Sequence, residues 1–291
     1  MNRKFYEVSD KVFSFFIKLL SFISVLLLGF IIIFIIKEAF IVFKEVPLYK
    51  FVFLKGWKPT STPFKLGIFP MVLGSIYVSM FSLIFALPIG LGAAILLSCI
   101  INKRIKNIIG IVIDLLAGIP SVIYGFFGLL VIVKYFEVSF NFPSGESVLA
   151  ASILLSIMVL PYIISTCEES MEKALNNYKE SSKSLGVSKW HMIRYLIIPS
   201  SKRAIISAII LAFSRAMGET MAVMMVIGNT PILPRLLSKA QTIPSLIALE
   251  MGGAQIDSMH YHGLFAAGLV LMIILFIINT LFYYLKRGFI D

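Results

Sequence analysis

Six stretches of the chain are free or nearly free of charge and long enough to cross a hydrocarbon core, which needs roughly 20 helical residues. They are Leu19 to Ile36, Leu66 to Ile101, Asn107 to Val133, Ser147 to Cys167, Ala204 to about Gly228, and Gly263 to Leu285. Arg3, Lys4, Lys11 and Lys18 precede the first, as in a secretory signal. That run is longer than a usual signal core, however, and Lys37 and Glu38 follow it instead of a small-residue cleavage site, so it predicts a retained signal-anchor helix. Pro70 is expected just ahead of the second helix and Pro88 to kink it. The third run carries Asp114 and Gly118-Ile119-Pro120-Ser121, the fourth Pro161 near its end, and the fifth Arg215 and Glu219. The pattern predicts an all-α polytopic membrane protein with six transmembrane helices. Residues 1–65 form an N-terminal anchor helix and first external loop, and residues 66–291 a body of five spans.

Composition agrees. Of the 291 residues 59% are hydrophobic and 14% charged, against roughly 45–50% and about 25% in a soluble domain. The net charge of +11 does not point to nucleic acid in such a chain, because Lys and Arg collect in cytoplasmic loops. With the N-terminus inside, 16 of the 26 Lys and Arg residues fall in the inner segments 1–18, 102–106, 168–203 and 286–291. The bias places both termini in the cytoplasm, although six lysines lie in the external loop 37–65. Phe51, Phe53 and Trp57 of that loop suit a membrane interface. Cys99 and Cys167 read as small buried apolar residues, not as a disulfide framework. His260-x-His262 has no second ligand cluster, so no metal is expected.

The segment between the fourth and fifth runs, 168–200, reads as helix. Glu168, Glu169 and Glu172 suit a helix start. Ala174, Leu175, Tyr178, Ser182 and Leu185 recur at helical steps. Gly186 is placed to end the helix, and a second helix is expected from about Ser188 through Trp190, Ile193 and Leu196 to Pro199. Such an element fits another protein's groove; the alternative is a helix lying on lipid.

Arg215 and Glu219 stand four residues apart and are expected on one helix face. Each costs roughly 2.5–3.5 kcal/mol at a bilayer centre on insertion scales, so neither should face lipid. They read either as a structural ion pair or as an oxyanion site. In the second case Arg215 presents its planar donors and Glu219 holds or releases them.

Glu180-Ser181-Ser182, Gly186 three residues on, and Leu196-Ile197-Ile198-Pro199 resemble the E-A-A-x3-G-x9-I-x-L-P signature of ABC importer permeases. Both alanines are serine here. The resemblance implies a coupling helix, with Glu180, Ser181, Ser182, Gly186 and Pro199 at the contact with an ATPase on another chain. ATP and Mg would belong to that partner, because this sequence has no G-x4-G-K-[ST] phosphate loop. Arg215-Ala216-Met217-Gly218-Glu219-Thr220-Met221-Ala222-Val223 with Ile227-Gly228-Asn229 resembles the corresponding segment of the PstC-type permeases of phosphate importers. Segments around Gly74 to Gly90, Leu116 to Gly125 and His260 to Asn279 agree with it. The likeness implies a type I ABC importer permease fold with no enzymatic activity of its own. Its partners would be a second permease of PstA type, ATP-binding cassette subunits and an extracytoplasmic phosphate-binding protein. Thr220 and Asn229 become candidate pathway donors beside Arg215 and Glu219. Ser121 and Tyr124 join them, with helix packing as their plainer role.

Sulfate, molybdate and phosphonate permeases share the Glu-Ser-Ser…Gly element, so only the segments around Arg215 favour phosphate. A membrane enzyme would need a nucleophile–base set or metal cluster that the spans lack. A channel would have no use for the coupling signature.

Overall fold

In hydrocarbon a backbone amide finds no water, so charge-free runs of this length fold as helices that satisfy their own hydrogen bonds. The computed structural model, which describes residues 3–61, 63–140 and 144–288, is accordingly almost wholly helical. Among the described residues five helices are long and apolar enough to span a membrane, and a sixth span is completed when a pair bent by 62° is counted as one.

Helix α1 (Arg3–Glu45) continues well beyond the predicted end at Ile36. Its last turns stay helical because Ala39 and Val42 are fully buried in an apolar cluster on this side of the bundle. Helix α2 (Leu48–Phe53) and a small antiparallel hairpin, β1 (Lys55–Lys58) with β2 (Lys65–Ile68), complete the first loop. Phe51 and Trp57, expected at a membrane interface, are buried in that cluster instead, while Phe53 is exposed.

Helix α3 (Phe69–Ile95) carries Pro70 in its first turn and Pro88 within it, and ends in a π-helical turn at Leu96–Ile100. Helix α4 (Lys103–Gly118) follows, capped by the Asn102 side chain, which accepts from the Ile105 amide at 3.0 Å. Here the predicted third span, 107–133, is corrected. Pro120 disfavours helix at the residue before it, and Ile119 is extended. The chain restarts as α5 (Ser121–Phe127), passes a π-turn at Gly128–Val133 and continues into α6 (Lys134–Phe140). The apolar span is thus 121–140, and α4 is a separate 16-residue helix.

Helix α7 (Val148–Ser184) runs without interruption through Pro161. Glu168, Glu169 and Glu172 therefore lie mid-helix, not at a helix start, because nothing between the membrane portion and residue 184 breaks the ladder. The return path is α8 (Lys189–Met192), a π-turn at Ile193–Ile197 and α9 (Ile198–Ser200), and then, across the 62° bend, α10 (Lys202–Gly218). The predicted fifth span is also broken. Helix α10 stops at Gly218, Glu219 is extended, and α11 (Met221–Val226) starts again. Helices α12 (Ile243–Glu250) and α13 (Met259–Gly288) finish the fold.

The core lies around α7. In its most apolar stretch 67% of residues are buried, against none in α1, so α7 is central and α1 peripheral. Close approach rests on small residues: a Cβ on Gly90 would stand 2.7 Å from Ile163, and one on Gly128 would stand 2.7 Å from Leu154. At the far end of the bundle Glu250 accepts from Trp57 Nε1 and pairs with His260 Nε2, each at 2.7 Å. His262 Nδ1 lies 2.9 Å from Glu38 Oε2, an ion-pair distance set off hydrogen-bond alignment. These contacts tie α1 and the hairpin to α12 and α13.

Candidate functional site

Two places carry the candidate residues: the turn after α7 and the break between α10 and α11.

At 1.5 Å per residue the 37-residue α7 is about 55 Å long, well beyond a hydrocarbon core of about 30 Å. It ends in a tightly bonded turn. The Val187 amide donates to the Ser182 carbonyl (2.9 Å) and the Gly186 amide to that of Lys183 (3.1 Å), the two bonds of a Schellman end. Gly186 is left-handed at φ +66°, which penalises a residue with a Cβ. Ser188 then caps α8 by accepting from the His191 amide at 3.3 Å. Both the glycine stop and the restart at Ser188 lie where the sequence places them.

The turn is built from inside and bare outside. Ser182 is buried, Ile193 and Ile197 are closed into the core, and the Ser200 hydroxyl donates to Tyr178 Oη at 3.3 Å. Glu180, Ser181, Gly186 and Pro199 are exposed. So are Leu185 at the tip, 79% accessible, and Trp190 at 63%. Two large apolar side chains held outward on a rigid turn are what a partner's groove requires. The sequence groups Leu185 with Ala174, Leu175, Tyr178 and Ser182 on one apolar face; in the structure Ala174 and Ser182 are buried while Leu185 stands clear. Lys106 of α4 bridges Glu168 (2.5 Å) and Glu172 (2.7 Å) of α7. Burial works against its charge, but the two carboxylates outweigh that and hold the ammonium above its ordinary pKa.

At the broken span the expected Arg215–Glu219 pair does not form. Helix α10 ends between them, so they do not share a face, and among the described residues no carboxylate pairs with Arg215. The guanidinium lies instead over the Tyr162 ring of α7, 4.3 Å from its centroid. Tyr162 was not foreseen; an isolated Tyr after Pro161 carries no distinguishing pattern. Glu219 Oε1 accepts from the Ala222 amide at 3.2 Å and so closes the start of α11. Beside Arg215, the Ser214 hydroxyl donates to Asn279 Oδ1 of α13 at 2.7 Å.

The other candidates serve the break more than they meet Arg215. The Thr220 hydroxyl donates to the Gly218 carbonyl at 3.2 Å. Asn229, left-handed at φ +42°, donates through Nδ2 to the Met224 carbonyl at 2.6 Å, while its buried Oδ1 has no partner among the described residues. The buried Tyr124 donates through Oη to the Leu116 carbonyl at 2.9 Å, closing the end of α4, and Ser121 begins α5. Helix α5 lies against α11, where a Cβ on Gly125 would stand 3.0 Å from Ala222 Cα. Among the described residues no hydrogen bond or ion pair joins Thr220, Asn229 or Ser121 to Arg215. Where α11 gives way to the following loop, Lys239 pairs with Glu146 at 2.7 Å. That bond holds the Glu146 carboxyl below the usual carboxylate range.

A family model described as "Binding-protein-dependent transport system inner membrane component" matches residues 86–290. The "Probable ABC transporter permease protein YqgH" of Bacillus subtilis is 37% identical over 232 residues, 79% of this chain and 75% of that one. The "Probable phosphate transport system permease protein PstC" of Methanocaldococcus jannaschii is 36% identical over 251 residues, 79% of each chain. A chain of the solved bacterial alginate ABC transporter superposes with a TM-score of 0.68 at 14% identity, covering 99% of this chain and 98% of that one. At that identity the likeness speaks for the fold.

Proposed function

The chain belongs to the binding-protein-dependent transport system inner membrane components, multi-pass ABC importer permeases of the type I fold and not enzymes, and on that premise we propose that it forms half of the translocation pathway for inorganic phosphate. The observation that carries the proposal is Arg215 without a carboxylate partner among the described residues. It stands 13 residues into α10 from Lys202, about 20 Å along the helix, at a depth where a lipid-facing charge is costly. It is exposed in the isolated chain, so a second permease or an aqueous path must cover it. Stacked on Tyr162, its planar fork is oriented and free to bind two oxygens of one anion. Thr220, Asn229, Ser121 and Tyr124 frame the helix break beside it, and Glu219 sets the break's geometry. Phosphate, among oxyanions, is supported by relatives from Methanocaldococcus jannaschii and Mesorhizobium japonicum that are named phosphate permeases.

The second permease is of PstA type, and an extracytoplasmic phosphate-binding protein delivers the ion. Glu180 through Gly186, with Pro199, dock on the ATPase that supplies ATP and Mg. Both termini face the cytoplasm. In support, the Lys106 bridges place 102–106 and 168–172 at one end of the bundle. The Trp57–Glu250–His260 and Glu38–His262 contacts gather the intervening loops at the other. Labelled phosphate uptake by the assembled importer tests the reading. Arg215→Ala should reduce uptake to background while the chain still inserts in the membrane, and excess sulfate should not compete. Undiminished uptake by Arg215→Ala, or full competition by sulfate, overturns it.

A further inference from the structure

The end of α3, the start of α4, the last turns of α7 and α8 line a cleft of about 660 Å³ at the coupling turn. Five lysines line it, Lys103, Lys106, Lys179, Lys183 and Lys189, against a single carboxylate, Glu172. Lys106 is committed to Glu168 and Glu172. Among the described residues the other four have no carboxylate partner. Four unneutralised cations facing one concavity repel one another, and such a site gains most from a multivalent anion.

The remaining wall narrows the chemistry. Leu97, Ile101 and Leu175 line the same cleft, and Ile100 beside them is half exposed. That stretch is where the charge-free run of α3 meets Lys103, so the cleft sits at the level where hydrocarbon gives way to headgroups. Its volume and apolar wall suit a phosphate attached to a glycerol and acyl stem.

We propose that this cleft binds a phosphate group, carried by an acidic phospholipid headgroup or present as the free ion, with the lysines as its ligands and the apolar wall favouring the lipid. Occupancy joins the junction of α3 and α4 to the segment that carries Gly186, and so braces the coupling turn from behind. Only the cytoplasmic placement of the cleft rests on the functional reading. Binding in detergent does not depend on that side, so the two ideas fail separately.

The assembled importer is purified in neutral detergent and followed by native mass spectrometry with phosphatidylglycerol, phosphatidylcholine or inorganic phosphate added. Wild type should retain phosphatidylglycerol over phosphatidylcholine. The variant Lys103→Gln/Lys179→Gln should weaken that retention by about 25-fold, taking about fivefold per lysine, while Lys103→Arg/Lys179→Arg retains it and controls for misfolding. Binding of inorganic phosphate that the glutamine variant loses, without lipid preference, assigns the site to the free ion. Equal retention of both lipids with no phosphate bound, or phosphatidylglycerol retention unaffected by the glutamine pair, overturns the proposal.

Discussion

The turn after α7 and the break after α10 are both places where a helix stops, yet they stop for different reasons. The first lies beyond the hydrocarbon and is closed by its own backbone: a left-handed glycine, two nested amide-to-carbonyl bonds and a serine cap. The second lies among apolar residues and closes through side chains and neighbours: Glu219 on the Ala222 amide, and α5 against α11. An aqueous helix end follows local grammar, whereas a break inside a bundle is held by what packs around it. The first should therefore tolerate changes elsewhere, and the second should not.

The sharpest separation comes from Glu219→Gln. The amide keeps an oxygen for the Ala222 N–H while removing the charge. Uptake and the thermal midpoint in detergent should both be kept, whereas Glu219→Ala, which removes the oxygen that holds the Ala222 N–H, should take uptake to background; loss of uptake in Glu219→Gln would show that the charge itself acts. Next, Gly125→Ala should destabilise the break by about 1–3 kcal/mol, the usual scale of overpacking, because the added methyl meets Ala222. Thermal unfolding of the purified chain measures it, and a shift equal to that of Gly110→Ala, where no atom lies within 4 Å, would show that the contact is loose. Gly186→Ala forces a Cβ into left-handed backbone at about 1–2 kcal/mol. It should lower coupled uptake several-fold while the ATPase keeps hydrolysing; unchanged uptake per ATP would remove the turn from coupling.

The smallest effect is a pH dependence. With the Glu146 carboxyl held low by Lys239, the link contributes stability above the ordinary carboxylate pKa. That contribution is lost as pH falls through the depressed folded value. Being partly exposed, it is worth under about 1 kcal/mol. Glu146→Gln should lower the midpoint slightly at pH 7 and not at all in strong acid, which unfolding at the two pH values compares.

How much was legible follows the same division. Gly186 and Ser188 could be read one residue at a time, because capping is set by the residues that do it. Runs without charge announced spans, since hydrocarbon admits little else. The break at Pro120 was visible as a motif, but the pattern of apolar residues runs straight across it, so one span was expected where α4 and α5 stand. The stop at Gly218 was harder. The four-residue spacing of Arg215 and Glu219 implies a shared face only if the helix continues, and what packs around the break, Gly125 of α5 and Tyr162 of α7, is remote in sequence. Glu168 misled in the reverse direction, because acidic residues that suit a helix start also suit a helix side facing Lys106.

The length of α7 has a mechanical consequence. An unbroken helix from Val148 to Ser184 behaves as a push-rod, so a load applied at one tip is delivered at the other without an intervening joint. A tilt of about 10° about one end of a rod of some 55 Å displaces the other by about 10 Å, the scale of a subunit rearrangement. Stiffness of this kind lets a small rotation near one tip appear as a wide swing at the other.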